Sequence, residues 1–532
     1  MNAWLKRSVI IVVSISIIAA VGIFAATPLK NFFSGSTKSE TDLPTIAPAK
    51  TDTLGSRAAL PIDIKVPEGA GHVVEGYSAR EEGAKTVIHI QDIHTNYEAQ
   101  KNLSRILEAM VQENDLKLIM VEGGWGNVNL TYLRTHADKE RRIEVAEQYL
   151  KEGKISGEEY LDIVSDYDIL LEGLEREELY KMNLDAFFEI EQFRVKAGKE
   201  LQKIHATVKR LKEKIYPKQL LKLEKAQRDY DDEKTSLADY YSHLSSLSRK
   251  IKIDISGYPN FNSFIRVTES EKHIDFPVVE KERGNLIDKL SKKLSKQKLT
   301  ALVTKSLEFR LSKMTPSEYH TYLIKEAEEA GENLDRYPNL KKYVKYIQSH
   351  ENIDTTTLFE EAEDIVDTVK EKIVSGSKQR RLNEISTNIR ILDNFLNLKL
   401  VPRDFKYYKE HRNDFITSNW LSFISKQAAS HNVHASGLRP ANTADKNLAT
   451  LVKFYDIANE RDDTFVQNAI KLMNEKDQKI AVLIAGGFHT PTLKQKLKEC
   501  GLSYIVVAPH TTEQTDPELY RYILKYKSGR EE

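Results

Sequence analysis

Two kinds of hydrophobic pattern run along the chain, and the points where they change divide it. Close to the start, Ser8–Ala26 (SVIIVVSISIIAAVGIFAA) is a charge-free apolar run directly behind Lys6 and Arg7. A helix of that length spans about 28 Å, enough to cross the hydrocarbon core of a bilayer. The positive flank predicts the N-terminus inside and the remainder outside the cytoplasm. Phe24-Ala25-Ala26 also offers a small-residue cleavage site, so an uncleaved anchor and a removed signal peptide both stay open. Residues 27–60 are rich in Ser and Thr, carry Pro28, Pro44 and Pro48, and read as a tether without apolar periodicity.

From residue 61 the pattern is that of alternating strands and helices. Lys85–Asp92 (KTVIHIQD) reads as a buried strand, Asn96–Asn114 as an amphipathic helix, and Leu116–Glu122 (LKLIMVE) as a second strand running into Gly123-Gly124. Helices fill 138–165, and Asp168–Glu175 (DILLEGLE) is a third strand and turn. Residues 186–400 change character: Lys, Glu and Leu at helical spacing predict a large helical, partly coiled-coil insertion, whose charge runs are solvated helix faces. The strand–helix pattern returns with a helix over 454–474, a strand over 479–485, a helix over 492–500 and a strand over 503–508. The reading is an α/β fold: a mainly parallel sheet core in two halves, 61–185 and 401–532, split by the insertion at 186–400 and preceded by the N-terminal transmembrane or signal helix (1–26) and its linker (27–60).

Composition narrows the function classes. Lys+Arg and Asp+Glu both number 79, which argues against a dedicated nucleic-acid binder. With 23 Gly and 15 Pro in 532 residues, collagen-like and low-complexity classes are excluded. The single cysteine, Cys500, rules out an intramolecular disulfide and a cysteine-based zinc site.

The candidate chemistry lies at strand ends, because ligands of open parallel sheets bind at the carboxyl edge. The strand at 85–92 ends in Asp92-Ile93-His94, that at 116–122 in Glu122-Gly123-Gly124, and that at 479–485 in Gly486-Gly487-Phe488-His489. His94, Glu122 and His489 can hold a divalent metal ion with open positions for water, or form a metal-free acid/base set. Asp92, two residues before His94, can orient the imidazole or bind metal. His89 lies inside a strand and reads as a buried, hydrogen-bonded residue. His431, His434 and His510 are weaker candidates.

These motifs resemble the Tiki/TraB/PrgY (GumN) superfamily, which is related to erythromycin esterases and ChaN-like proteins. The resemblance rests on Gln91-Asp92-Ile93-His94, Val121-Glu122-Gly123, Gly173-Leu174-Glu175, the helix carrying Asn459-Glu460-Arg461-Asp462, and Gly486-Gly487-Phe488-His489 followed by TLKQKLKECGLSYIVV. Gln91 stands where the family's first motif has Gly, and Asp92 where the esterase-like form has Glu. The resemblance implies a hydrolase-like pocket: a metal-dependent peptidase or a metal-free esterase, with haem binding as the ChaN-like alternative. It implies His94, Glu122 and His489 as metal ligands or acid/base groups, Arg461 as a binder of an anionic substrate group or oxyanion, Glu460 as its orienting partner, and Gly486, Gly487 and Glu175 as cofactor-contact positions. The partners expected are a membrane through residues 8–26, a peptide or small-molecule substrate, no nucleic acid, and a protein partner or second copy through 186–400.

Overall fold

The computed structural model describes residues 61–530 except Glu68, Glu82, Glu233, 311–315, Asn352, Asp354 and 513–514. The apolar run 8–26 and the tether lie outside the described residues. Among the described residues no helix is long and apolar enough to cross a membrane.

The fold is α/β. A single seven-stranded sheet contains β1 (Gly71–Tyr77), β2 (Thr86–Asp92), β3 (Leu118–Val121), β4 (Trp125–Asn127), β5 (Leu170–Leu174), β6 (Ile480–Gly486) and β7 (Ser503–Pro509) in the order β1-β7-β2-β6-β3-β5-β4. The inner run β7-β2-β6-β3-β5 is parallel, and β1 and β4 close the two edges antiparallel. Both faces are covered, which is why the inner strands read as continuous apolar runs. Ile88, Ile90, Ile119, Val482 and Ile484 point to one face, under Leu103, Ile106, Leu107 and Met110 of α1 (Tyr97–Asn114). Val87, Leu118, Met120, Leu483 and Ala485 point to the other, under Phe465, Val466, Ala469 and Met473.

Seven further helices frame the site. Following α2 (Lys139–Lys151), α3 (Gly157–Val164) packs against α1. The 39-residue α4 (Glu177–Ile215) starts just beyond β5 and packs against α5 (Gly376–Leu396) and α6 (Leu448–Glu475). Finally, α7 (Thr490–Glu499) follows β6 directly, and α8 (Pro517–Lys527) ends the described chain.

The helical stretch does not behave as one body. Residues 186–224 and 370–400 belong to the compact unit that holds the sheet, whereas 225–369 form a second compact unit, entirely helical where described. The core of this helical unit combines Val279, Leu286, Leu290, Leu302, Leu323, Ala327, Leu340 and Val344 with an aromatic group in which Tyr241 meets Phe261, Phe264 and Phe359.

Candidate functional site

Because β2, β6, β3 and β5 run parallel, their carboxyl ends place Asp92, Gly486, Glu122 and Glu175 along one edge. Gly123 turns the chain after Glu122 at φ +81°, a conformation costly for other residues, and its N–H donates to Glu175 Oε1 at 3.3 Å. Gly173 lies so close to the neighbouring turn that a Cβ would stand 2.1 Å from the Gly124 carbonyl carbon, which accounts for glycine in the Gly173-Leu174-Glu175 element.

At the centre is Arg461 of α6, 4% exposed. Its Nη2 donates to Glu122 Oε1 at 2.9 Å and to Glu175 Oε1, Nε donates to Glu175 Oε2 at 3.2 Å, and Nη1 donates to Asn183 Oδ1 at 2.9 Å. Burial opposes its charge, but Glu175 and Glu122 hold it ionised. All three guanidinium nitrogens are engaged inside the protein, so Arg461 is the keystone of a buried charge network. Glu175 and Glu122 hold it, while Glu460, expected as its orienting partner, lies on the outer side of α6, half-exposed, 3.3 Å from Arg176.

His489, fully buried, is held between two acids. Its Nδ1 is hydrogen-bonded to Asp462 Oδ1, and its Nε2 lies 3.3 Å from Glu122 Oε1, an ion-pair contact outside hydrogen-bond geometry. Burial opposes the imidazolium, yet Asp462 and Glu122 override it and hold the pKa up at about 10. Glu122 in turn accepts from Gly486 N–H through Oε2 at 2.7 Å. Against its burial, His489 and Arg461 hold it well below the usual carboxylate range.

His94 differs in being reachable: its side chain is 28% exposed, and its Nδ1 lies 2.6 Å from Oδ2 of buried Asp92. The other oxygen of Asp92 accepts from Gln100 Nε2 at 2.5 Å. Tyr520 of α8 stacks on the His94 ring with 6.0 Å between centroids. Burial opposes the charge on His94, but Asp92 holds its pKa up at about 9. On the rim, Trp125, 43% exposed, lies beside Tyr180, whose ring faces the Arg461 guanidinium.

As arranged, these donors do not fit a divalent ion. Glu122 spends its oxygens on Arg461 and the Gly486 amide, His489 Nδ1 is taken by Asp462, and the neighbouring carboxylates favour the protonated form of both imidazoles, so an ion would have to displace a proton from each. Among the described residues no three His, Cys, Asp or Glu side chains are disposed to hold a metal ion. The cofactor-contact positions are also committed internally: Glu175 to Arg461, Gly486 N–H to Glu122, and buried Gly487 through its carbonyl to Thr490 N–H at 3.2 Å.

The remaining histidines have local roles. His89 is buried against Leu483 O and Thr490 Oγ1, and burial lowers its pKa to about 4. His434 bonds Ser436, and His510 uses its backbone N–H on Ala70 O. His431 caps the helix Ser418–Ser430 through its backbone N–H. Sequence reasoning missed Asp462, Asn183, Gln100, Glu158 and Tyr520. Asp462 was detectable: with Arg461 it shares the buried face of α6 with Ala458 and Phe465, and charges on an apolar stripe mark a buried polar network.

No family model, no curated protein and no solved structure matches the chain.

Proposed function

We propose that the protein is a membrane-tethered, extracytoplasmic hydrolase that works by metal-free acid/base chemistry on ester-like substrates, with His94 as the catalytic residue. The observation that carries this reading is His94 itself. It is the partly exposed histidine at the carboxyl edge of a parallel sheet, its Nδ1 is fixed by buried Asp92, and its Nε2 makes no hydrogen bond among the described residues. The resemblance to the Tiki/TraB/PrgY superfamily and its esterase relatives supports it, with residues 8–26 as the anchor and 27–60 as the tether.

In this reading Asp92 fixes the tautomer so that Nε2 faces substrate. Neutral His94 Nε2 takes a proton from a water as its oxygen bonds to the carbonyl carbon. The imidazolium then returns that proton to the leaving alkoxide as the ester C–O bond breaks. The Arg461–Glu122–His489–Asp462 network is mostly shielded from solvent; it holds the strand ends in register and fixes the local field. With the His94 pKa at about 9, the base form grows with pH, so kcat/KM rises from pH 7 to about pH 9.

The test is turnover of ester and peptide libraries by the purified full-length protein in chelator. Ester hydrolysis is expected, falling by roughly 10²–10⁴-fold in His94→Gln. Absence of turnover, or turnover unchanged in His94→Gln, would contradict the proposal. Turnover that requires added divalent metal would favour the peptidase alternative.

A second reading concerns the helical unit. Val303 and Leu307 are 61% and 53% exposed and lie four residues apart on the helix Lys296–Arg310, one apolar face that favours contact with a protein partner or second copy. Val303→Asp with Leu307→Asp tests it, since loss of an assembly seen in light scattering is expected.

A further inference from the structure

The helix α3 begins with Ser156 as its cap, Gly157 and two acids, Glu158 and Glu159. Glu159 does the capping work: its Oε2 accepts from Ser156 N–H at 2.8 Å and lies 2.9 Å from Ser156 Oγ. Glu158 is not needed for that cap, yet it is the buried one, 6% exposed, turned toward the end of β2. Its Oε1 lies 2.5 Å from the same Ser156 Oγ, and its Oε2 is buried without a hydrogen-bond partner. Ser156 Oγ carries one hydrogen and faces two carboxyl groups. Both contacts are satisfied together when Ser156 donates to Glu159 and Glu158 donates a proton of its own to Ser156 Oγ.

Gln100 ties this helix start to the candidate catalytic pair. Its Nε2 donates to Asp92 Oδ1 at 2.5 Å and to Ile93 O at 3.0 Å, and its Oε1 accepts from Gly157 N–H at 2.6 Å. Two buried carboxyl groups, Asp92 and Glu158, therefore flank one amide, and His94 is bound to one of them. The cations of the surrounding elements have other partners: Lys101 of α1 is bound to Glu147 of α2, Arg134 of the turn helix Thr131–Thr135 to Asp162, and Lys527 of α8 lies 3.9 Å from Glu159.

We propose that Glu158 is a neutral carboxylic acid at neutral pH, donating to Ser156 Oγ, and that it acts as a positioning residue that leaves Asp92 as the charged carboxylate in contact with His94. Glu122, at the end of β3, favours the charged imidazole from farther away. Burial and the neighbouring Asp92 and Glu159 charges push the Glu158 carboxyl up to about 8, in agreement with that geometry. Above that pH a second negative charge arises beside Asp92 and opposes proton loss from His94, so the two groups titrate as a coupled set. The catalytic consequence rests on the hydrolase reading; the position of the proton does not.

The experiment is infrared difference spectroscopy of the full-length protein from pH 6 to 10, beside NMR titration of isotope-labelled histidine, in wild type and Glu158→Gln. A protonated-carboxyl band is expected in wild type at pH 7, lost by about pH 9 and missing from Glu158→Gln. In that variant, which fixes a neutral group at the position, His94 is expected to titrate about half a unit lower or more. A wild type without such a band, or a His94 titration unmoved in folded Glu158→Gln, overturns the proposal. Should Glu158→Gln not fold, Glu158→Asp, which withdraws the carboxyl from Ser156, is expected to shift the wild-type band and its midpoint, and an unchanged band overturns the assignment. All these outcomes are read without turnover, so a protein with no hydrolase activity leaves the test intact.

Discussion

In the α/β unit the carboxyl edge of the sheet encloses Arg461 between Glu122 and Glu175 and His489 between Asp462 and Glu122. In the helical unit, 225–369, buried acids occur singly: Glu361 accepts from Phe261 N–H at 2.7 Å and Glu326 lies 3.1 Å from Lys298, beside the imidazoles of His320 and His350, which burial keeps neutral, and the hydroxyl of Tyr241. Burial pushes the two imidazoles down to about 4 each, with the Arg283 charge adding to it at His320, whereas at the sheet edge carboxylates override burial and push His94 and His489 up. Buried charge is expensive and is kept only where partners compensate it. At the strand edge the buried charges form one connected network, whereas in the helical unit they occur as separate contacts.

The comparison can be broken first at its keystone. Arg461→Met leaves Glu122 and Glu175 buried without their cation, and a loss of about 3–5 kcal/mol or more is expected in denaturant unfolding of the α/β unit. In the helical unit Phe261, fully buried, plays the corresponding part by packing, and Phe261→Ala is expected to cost about 3 kcal/mol or somewhat more. The two substitutions separate in what else they move: Arg461→Met shifts the titration of His489, and Phe261→Ala shifts neither His94 nor His489.

The response to pH sharpens the contrast further. His94 and His489 titrate above their ordinary 6.5 in the folded state, so their stabilisation is complete below 6.5 and is lost as pH rises through about 9 and about 10. His320 and His350 titrate at about 4, so the helical unit loses stability as pH falls from 6.5 toward 4. His89 gives the α/β unit the same acid sensitivity, which makes pH 7–9 the discriminating window. Hydrogen exchange followed peptide by peptide is expected to show the α/β unit loosening there while 225–369 stays protected. The smallest effect belongs to Glu460: with both partners half-exposed, Glu460→Ala is expected to cost about 0–1 kcal/mol and to leave turnover unchanged.

Much of the sheet was legible in the sequence because its inner strands are buried on both faces. The runs read at 85–92, 116–122, 479–485 and 503–508 correspond to β2, β3, β6 and β7 within two residues at each end. The edges were not: β1 is half-exposed, β4 has three exposed residues, and neither produces an apolar run. The convergence of Glu122 and His489 was legible from strand ends and parallel order, as was the Asp92–His94 pair from its spacing. The committed state of each donor was not, because it depends on groups far away in sequence. Asn183 and Glu175 meet Arg461 across more than 270 positions, and Gln100 reaches Gly157 only once α1 and α3 have packed. The resemblance implies a substrate contact for Arg461; its burial and its three internal partners were not readable from the motif.

Carboxylate partners at the strand ends keep His94 and His489 protonated, and NMR titration of both in the wild-type protein reads this state without any substrate. Both imidazoles are expected to remain protonated at pH 8, with His94 losing its proton near pH 9 and His489 near pH 10. Loss of either proton near pH 6.5 would contradict the account.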